Sequence, residues 1–321
     1  MLMLDANTLL NQLPFTALAD ELQGMHLDPI GLVDELLIES EGADDTTSHF
    51  FIRTGWQQGK ALGAKVITVF PANNKEKIWP SIQAIYVLFE GQCGTPVACL
   101  DGATLTYLKT ATDSALGCRL LARTSIESML MVGAGEMSRH VIAAHCQVRP
   151  SIKQVYVWNR SAENAIKLCE GELAQHYPHI NFEPVSDLSK YAAKVGLISC
   201  ATATHLPLIQ GKWLQAGTHL DLIGAFTPEM READDECLRR GSLFVDARAT
   251  TINHIGELMI PLANNVITLD DIKADLSDLC QNKHPGRTSD DEITLYKNGG
   301  GGHLDLMMAR ILHAHYQQKH S

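Results

Sequence analysis

The stretch from Ser128 to His145 constrains this chain more than any other, because it places a strand, a glycine turn and a helix in succession. Gly133 can adopt the backbone of a tight turn, Gly135 lets an anion approach the main chain, and Ser138 lets the helix pack close to the strand. The free N–H groups and the positive dipole at the helix start then hold a phosphate. We therefore predict a dinucleotide-binding turn with cofactor contacts from Gly133, Ala134, Gly135, Glu136 and Met137.

A second strand, Gln154 to Trp158, lies where a βαβ unit requires it and ends in Asn159-Arg160-Ser161. An NAD-binding unit usually ends this strand with Asp or Glu, which accepts a hydrogen bond from the ribose 2′-hydroxyl. This chain has no acid there. Arg160 can pair with a 2′-phosphate and Ser161 can donate a hydrogen bond to it. The strand end favours NADP(H), with Asn159, Arg160 and Ser161 as contacts and NAD(H) as the alternative cofactor.

Length and charge exclude several classes of protein. The 321 residues suffice for two domains, or for one large α/β domain with an appendage. A net charge of −11 and scattered basic residues argue against nucleic acid or an anionic membrane surface as a partner. No apolar run approaches the roughly 18 residues of a membrane span, and the N-terminus resembles no signal peptide.

Cysteine and histidine usage bears on compartment and metals. None of the eight cysteines forms a C-x-x-C pair, which favours a reduced, cytoplasmic protein. The 14 histidines show no metal-ligand spacing, so we expect no metal site.

The N-terminal third combines helical and β-type patterns. Apolar periodicity predicts helices over Leu9–Leu22 and Ile30–Ile38, and residues 39–48 form a polar loop. Alternating, β-rich runs then indicate a largely antiparallel sheet, followed by a helix over Thr104–Arg123. The strands of this sheet are predicted at 49–53, 64–70, 81–89 and 96–100.

From Met129 onward the pattern alternates between strand and helix, which is typical of a doubly wound parallel sheet. Four glycines, Gly299 to Gly302, then lead into a helix that runs to about His315. The predicted strands are 129–132, 154–158, 195–200, 218–223, 242–246 and 265–268. The predicted helices are 136–147, 161–176, 229–240 and 270–280.

Two lysines are suited to a small anionic substrate. Lys65 stands inside an apolar strand, where a charge is costly to bury unless an anion meets it. Lys109 lies near the start of a helix that leads toward the glycine turn. Either lysine could instead face solvent. The segments Cys200–Thr204 and Leu222–Glu232 follow predicted parallel strands, whose carboxyl ends form the ligand crevice in such sheets.

Over nearly its whole length the chain resembles the ornithine cyclodeaminase/μ-crystallin family. The resemblance implies a homodimer and an α/β fold, in which a Rossmann doubly wound sheet accompanies a discontinuous α+β substrate and dimerisation domain. The implied domains are 118–298 for NADP binding and 1–117 with 299–321 for substrate. The matching segments are Gly63–Thr68, Leu105–Leu116, Val132–Gly135, Ser199–Thr202, Gly224–Glu232 and Ile293–Gly302.

The family resemblance also implies further contacts. Lys65 and Asp305 are the implied catalytic residues, and Arg53, Lys65, Lys109, Phe226 and Gly299 are the implied substrate contacts. The implied cofactor contacts beyond the glycine turn and Asn159–Ser161 are Ser81, Lys109, Thr110, Cys200, Ala201, Thr202, Gly224, Ala225 and Asn298.

Departures from the family pattern indicate the subfamily. Lys109 stands where the family usually has the arginine that binds the substrate carboxylate, and Arg53 could substitute for a second, earlier arginine. Phe226 occupies the position at which cyclodeaminases carry an acid. Because Phe226 cannot act as a base, loss of ammonia from ornithine is disfavoured. The chain is therefore more similar to the ketimine reductases of the family than to its cyclodeaminases.

These features predict NADPH-dependent reduction of a small anionic cyclic ketimine carboxylate. The substrate is Δ1-pyrroline-2-carboxylate or its six-membered homologue Δ1-piperideine-2-carboxylate, and the product is L-proline or L-pipecolate. Lys65 would neutralise the carboxylate or relay a proton to the imine nitrogen. The alternatives are ornithine cyclodeaminase, an alanine-type amino-acid dehydrogenase, and a non-catalytic NADPH-dependent ligand-binding protein.

Overall fold

The computed structural model describes residues 1–42, 46–73 and 79–320. The chain divides into two units. The first unit comprises Met1–Lys109 and Gly301–Ser321, and the second comprises Thr110–Gly300. The boundary at Lys109 falls inside the helix Gly102–Leu121.

The first unit is built on a sheet of six strands within the described residues, in the order β1-β6-β5-β4-β3-β2. Strand β1 runs parallel to β6 and the other neighbours are antiparallel. The helices that lie wholly in this unit are Ala6–Leu10, Phe15–Met25 and Gly302–His320. The strands are β1 (Leu2–Leu4), β2 (Leu32–Glu41), β3 (Thr47–Gln57), β4 (Ala61–Val69), β5 (Ile82–Glu90) and β6 (Pro96–Asp101).

One face of this sheet lies against the C-terminal helix Gly302–His320. A Cβ added at Gly55 would lie 2.7 Å from the carbonyl oxygen of Gly302, so the helix approaches the sheet where side chains are absent. Arg53, Lys65 and Tyr86 are direct neighbours across three strands, which puts their side chains on one face. This close approach brings the first helical turn to that row of polar side chains.

The helix predicted over Ile30–Ile38 is wrong, because these residues enter strand β2. All ten β2 residues pair with β3 in an antiparallel ladder. The positive φ of Gly31, +81°, marks a turn just before the strand. Apolar side chains occur on both faces of β2, and this distribution mimics helical spacing. Of the loop predicted at 39–48, residues 43–45 lie outside the described residues.

The second unit contains a parallel sheet of eight strands within the described residues, in the order β13-β12-β14-β11-β10-β7-β8-β9. Its central strands are almost completely buried and mostly apolar, as is typical of parallel strands covered on both faces. The doubly wound α/β class expected from the sequence is confirmed. The strands are β7 (Ser128–Val132), β8 (Gln154–Trp158), β9 (Asn181–Val185), β10 (Leu197–Cys200), β11 (His219–Leu222), β12 (Ser242–Val245), β13 (Ile272–Asp275) and β14 (Thr294–Lys297).

Helix prediction in this unit is correct for the helix after the glycine turn and less accurate elsewhere. The segment predicted as one helix at 270–280 is strand β13 followed by a helix from Leu276, whose start is capped by the Asp275 side chain. Residues 265–268 form no strand. The α-helices are Glu136–Val148, Ala162–Glu170, Glu172–His176, Leu188–Ala192, Asp235–Arg240, Arg248–Thr251, Gly256–Ala263 and Leu276–Cys280.

In the parts of the chain that the structure describes, no helix combines the length and apolar character needed to cross a membrane.

Candidate active site

The centre of the first unit's polar face is an ion pair between Lys65 and Asp305. The ammonium nitrogen of Lys65 lies 3.0 Å from Oδ2 and 3.1 Å from Oδ1 of Asp305. It also donates to the Thr106 hydroxyl at 3.0 Å. Lys65 is 3% exposed and Asp305 is fully buried, so water does not screen the pair. The ammonium therefore donates hydrogen bonds to Oδ1 of Asp305 and to Thr106, while Oδ2 contributes to the ion pair by its charge.

The environment adjusts the acidity of both partners. Burial lowers the pKa of Lys65 to about 8, and nearby Lys109 and Arg53 act in the same direction while Asp305 opposes them. Burial alone would raise the pKa of Asp305, but Lys65, Lys109 and Arg53 outweigh it and the net shift is downward. At neutral pH, Asp305 is therefore ionised and Lys65 holds a proton that it can give up readily.

Lys109 supplies a second buried cation to this face. Its side chain is 4% exposed, and within the described residues no acceptor or carboxylate pairs with its ammonium group. Arg53, by contrast, is partly exposed, donates to Glu35 at 3.2 Å and stacks over Phe51. Asp305 balances only one of the two lysines. Among the described residues of this cluster, the two buried lysines therefore carry one positive charge more than the Asp305 carboxylate neutralises.

Two neutral polar side chains beside this cluster were not identified from the sequence. The Tyr86 hydroxyl and both ring nitrogens of His303 are buried without a hydrogen-bond partner among the described residues. Burial lowers the pKa of His303 to about 3, with His26 and Lys109 adding to the effect, so the ring is neutral. Tyr86 could have been found only from its pairing with Lys65, which depends on strand register.

The glycine turn of the second unit has the shape that a phosphate needs. Gly133 has φ +109°, and a Cβ there would lie 2.6 Å from the carbonyl oxygen of Ala201, so glycine is required on both counts. At Gly135 a Cβ would meet nothing within 4 Å, which leaves open space over the main chain. The helix Glu136–Val148 begins immediately after it. The turn therefore fits a dinucleotide pyrophosphate at a helix N-terminus.

The end of strand β8 is joined to this turn by Asn159. Its Oδ1 accepts from the Ala134 N–H at 3.2 Å, and its Nδ2 donates to the Ser161 carbonyl at 3.0 Å. Arg160 and Ser161 are exposed beside it. Glu136 and Met137 lie in the first helical turn, where Glu136 pairs with Arg139. The strand end presents a free guanidinium and no carboxylate.

A buried glutamate joins the two loops that were predicted to line the ligand crevice. Glu232 accepts from the Thr202 N–H at 2.8 Å, the Thr202 hydroxyl at 2.7 Å and the Gly224 N–H at 2.7 Å. Glu257 accepts from the N–H groups of Glu232 and Ala233 at 2.8 and 3.0 Å. Burial raises the pKa of Glu257 to about 7, although Lys297 opposes the shift. The sequence indicated these loops but not the carboxylates that hold them.

The remaining residues that were predicted to contact cofactor or substrate are divided between the two units. Ser81 precedes β5 in the first unit, where its carbonyl accepts from Phe70. The other contacts belong to the second unit. Cys200 ends β10 and is buried, Ala225 is buried, and Phe226 is 63% exposed on the loop after β11.

The glycine-rich segment before the last helix already has a partner for two of its N–H groups. Gly299 and Gly300 donate to Oδ2 of Asp246 at 2.9 and 2.6 Å. The Gly299 N–H is therefore engaged within the protein, and only its carbonyl or α-carbon remains for a substrate. No pattern in the sequence pointed to Asp246, which lies more than 50 positions before these glycines.

Comparison with known proteins agrees with this geometry. Residues 54–320 match the Ornithine cyclodeaminase/mu-crystallin family. The Delta(1)-pyrroline-2-carboxylate reductase of Paracoccus denitrificans is 42% identical over 266 residues, which cover 83% of this chain and 83% of that protein. A protein of the same name from Colwellia psychrerythraea is 35% identical over 260 residues, 81% of each chain.

Solved structures match the entire chain. The Thermococcus litoralis Delta(1)-pyrroline-2-carboxylate reductase in complex with NADH and L-proline has a TM-score of 0.88 at 26% identity, covering 100% of this chain and 98% of that one. An archaeal alanine dehydrogenase dimer with bound NAD shares the fold, with a TM-score of 0.85 at 21% identity and coverage of 100% and 97%. The family resemblance inferred from the sequence is confirmed: this chain belongs to the Ornithine cyclodeaminase/mu-crystallin family.

Proposed function

We propose that this protein is an NADPH-dependent reductase of cyclic ketimine carboxylates, with Δ1-pyrroline-2-carboxylate as the principal substrate and Δ1-piperideine-2-carboxylate as a second. Its reductase relatives support an oxidoreductase that acts on C=N bonds with a nicotinamide cofactor. The observation that carries the proposal is the buried, unneutralised ammonium of Lys109 next to the Lys65–Asp305 pair. An imino acid brings the carboxylate that this cluster lacks.

The cluster divides two tasks between two lysines. Lys109 binds the substrate carboxylate as a point charge, because no described residue forms a hydrogen bond or an ion pair with its ammonium group. Lys65, with a pKa lowered to about 8, gives a proton to the ring nitrogen, and Asp305 holds the donor in place. The bound cofactor supplies the hydride to the imine carbon. The product is then the L-amino acid, L-proline or L-pipecolate.

The preference for NADPH over NADH rests on the end of strand β8. Arg160 is exposed, has no ion-pair partner among the described residues, and has no acidic neighbour at the strand end. A guanidinium there favours a 2′-phosphate. Fluorescence titration should give a Kd for NADPH below that for NADH, and Arg160→Ala should weaken NADPH about tenfold or more while leaving NADH unchanged. NADH binding ten times tighter than NADPH would contradict the preference.

Initial rates of NADPH oxidation with three substrates side by side test the activity. We expect turnover with pyrroline-2-carboxylate and, more slowly, with piperideine-2-carboxylate. Turnover with pyruvate plus ammonia alone would assign the protein to the amino-acid dehydrogenases. Ornithine consumption with release of ammonia would assign it to the cyclodeaminases, and cofactor binding without turnover of any of these would favour a non-catalytic protein.

We further propose that two copies associate through the outer face of the first unit's sheet, which is the face opposite Arg53 and Lys65. Strand β2 is an edge strand, and Leu36 and Ile38, which point to the same face as Leu32, are each more than half exposed. Trp56, which pairs with Leu32, is 49% exposed on the same sheet. A related fold is described as a dimer. Sedimentation should give a dimer, and Leu36→Asp should give monomers; a monomeric unmodified protein would contradict this assembly.

A further inference from the structure

The hydroxyl group of Thr106 is a second acceptor for the Lys65 ammonium, beside Asp305. Its oxygen lies 3.0 Å from the ammonium nitrogen, and it donates its own proton to the Gly102 carbonyl at 2.7 Å. Because a hydroxyl has one proton, the Thr106 oxygen can only accept from Lys65. The backbone of the helix that carries Thr106 therefore fixes the direction of this hydrogen bond.

The start of the helix Gly102–Leu121 packs directly on the sheet that carries Lys65. A Cβ added at Gly102 would lie 2.6 Å from the carbonyl carbon of Ala84 in strand β5, so the absence of a side chain lets the two main chains approach closely. Strand β5 is the direct neighbour of strand β4, which contains Lys65. Main-chain packing thus sets the distance between Thr106 and the lysine.

The Lys65 ammonium has three N–H groups, and the described residues accept from two of them. One N–H donates to Oδ1 of Asp305 and one to Thr106, whereas Oδ2 of Asp305 accepts no hydrogen bond. Since Lys65 is 3% exposed, bulk water does not reach the third N–H. A buried N–H that lacks an acceptor is costly, which indicates that a ligand atom accepts it. An ammonium group is tetrahedral, so the two hydrogen bonds determine the direction of the third N–H.

The same two acceptors also orient the lysine after it has lost a proton. A neutral amine has two N–H groups and one lone pair. Both N–H groups remain with Asp305 and Thr106, so the lone pair lies along the direction in which the proton left. If one acceptor were missing, the amine could turn about its last carbon–nitrogen bond, and the direction of transfer would no longer be fixed.

We propose that Thr106 is a positioning residue, which together with Asp305 directs the third N–H of Lys65 to the ring nitrogen of the cyclic ketimine. The inference rests on the proposed function, because it requires Lys65 to be the proton donor. In this step one proton passes from the Lys65 nitrogen to the ring nitrogen, and the C=N bond is reduced to a C–N bond by a hydride from the bound cofactor, which is oxidised. Lys65 is left neutral and takes a proton from water once the product has left.

Thr106→Val tests the positioning role, because valine has nearly the shape of threonine and lacks the hydroxyl group. We expect kcat with pyrroline-2-carboxylate and saturating NADPH to fall about tenfold or more. KM should stay within about twofold, since an interaction used only in the transfer lowers kcat and kcat/KM together. Thr106→Ser keeps the hydroxyl group and should restore most of kcat.

The pH profile of kcat is a second readout, which a purely structural role would not move. The Thr106 hydroxyl stabilises the charged form of Lys65, so its removal should lower the pKa of the lysine further. The decline of kcat should therefore begin about one pH unit lower in Thr106→Val than in the unmodified protein. The charged groups that act on Lys65 are the same in both proteins, namely Asp305, Lys109 and Arg53.

Thr104→Val is the matched control. Thr104 is as well buried as Lys65 and lies in the first turn of the same helix, where its N–H donates to Asp101 at 2.7 Å. Among the described residues its side chain makes no hydrogen bond to Lys65, so kcat and its pH profile should match those of the unmodified protein. Melting temperatures of all variants separate loss of stability from loss of proton delivery.

Two results would overturn this inference and leave the proposed function standing. One is an unchanged kcat and pH profile in Thr106→Val while the unmodified protein reduces the ketimine. The other is a loss in Thr106→Ser or Thr104→Val as large as that in Thr106→Val, which would assign the effect to packing. If Thr106→Val does not fold, Thr106→Ala removes the same hydroxyl group and gives the same comparison.

Failure of the proposed function gives a different result. In that case the unmodified protein reduces neither pyrroline-2-carboxylate nor piperideine-2-carboxylate, and the inference falls with it.

Discussion

The ammonium of Lys65 and the carboxylate of Asp305 form a bidentate ion pair, at 3.0 and 3.1 Å, between residues 240 positions apart in the chain. Both side chains are almost completely buried. A buried pair contributes little net stability, because desolvation offsets most of the attraction between the charges. A role in ligand chemistry accounts for the pair better than a role in stability does.

Replacing Lys65 with methionine should lower kcat/KM for pyrroline-2-carboxylate at least about a hundredfold, since it removes the proposed proton donor. Lys60→Met is the control, because Lys60 lies in the turn between β3 and β4, is exposed and pairs with Asp28. It should leave kcat/KM unchanged. Steady-state kinetics check both variants, and a fully active Lys65→Met enzyme would refute the assignment.

The activity should fall as pH rises through about 8. The pKa of Lys65 is lowered to about 8 by burial, so the lysine carries its proton below that pH and loses it above. Because the proposed reduction consumes this proton, kcat should decline about tenfold per pH unit above 8. A kcat profile measured with saturating NADPH tests this. In Lys65→Met the decline should disappear, and the same decline in that variant would assign it to another group.

Local sequence signals predicted the cofactor unit well. The glycine turn and the apolar strands around it depend on residues close in sequence, and the structure has them as expected. In the polar cluster of the first unit, the residue pattern indicated the two lysines, and the family resemblance added Arg53 and Asp305. The pairing of Lys65 with Asp305, the neighbouring Tyr86 and His303, and the Glu232 contacts all join distant segments. Strand β2 was mistaken for a helix because it carries apolar side chains on both faces. Its sequence therefore lacks the alternation of apolar and polar residues that indicates a strand.

The two glycines of the turn should respond differently to alanine. Gly133→Ala meets a carbonyl oxygen at 2.6 Å and a positive φ, so it should cost about 1–3 kcal/mol from backbone strain alone, plus the steric clash. Gly135→Ala has free space and should retain stability. Its methyl group would occupy the proposed phosphate position, so NADPH affinity should fall about tenfold or more. Urea unfolding and cofactor titration distinguish the two, and unchanged affinity in Gly135→Ala would contradict the phosphate assignment.

The buried pair of His145 and Asp221 should make the stability of the second unit depend on pH. Burial alone would lower the pKa of His145, but the hydrogen bond to Asp221, the carboxylate's charge and the neighbouring Cys118 raise it to about 9. A histidine whose folded pKa is raised contributes stability that is complete below its ordinary value of 6.5 and is lost as pH rises through about 9. His145→Gln should therefore lower the free energy of unfolding by about 3 kcal/mol near neutral pH and by much less at about pH 10.

His219→Gln is the control, because the pKa of this equally buried histidine is lowered to about 3. His219 therefore stays neutral, and the loss of stability in His219→Gln should not vary over this pH range. Urea unfolding of each variant against the unmodified protein measures both differences, and a cost of His145→Gln that stays constant with pH would show that the imidazole is neutral in the fold.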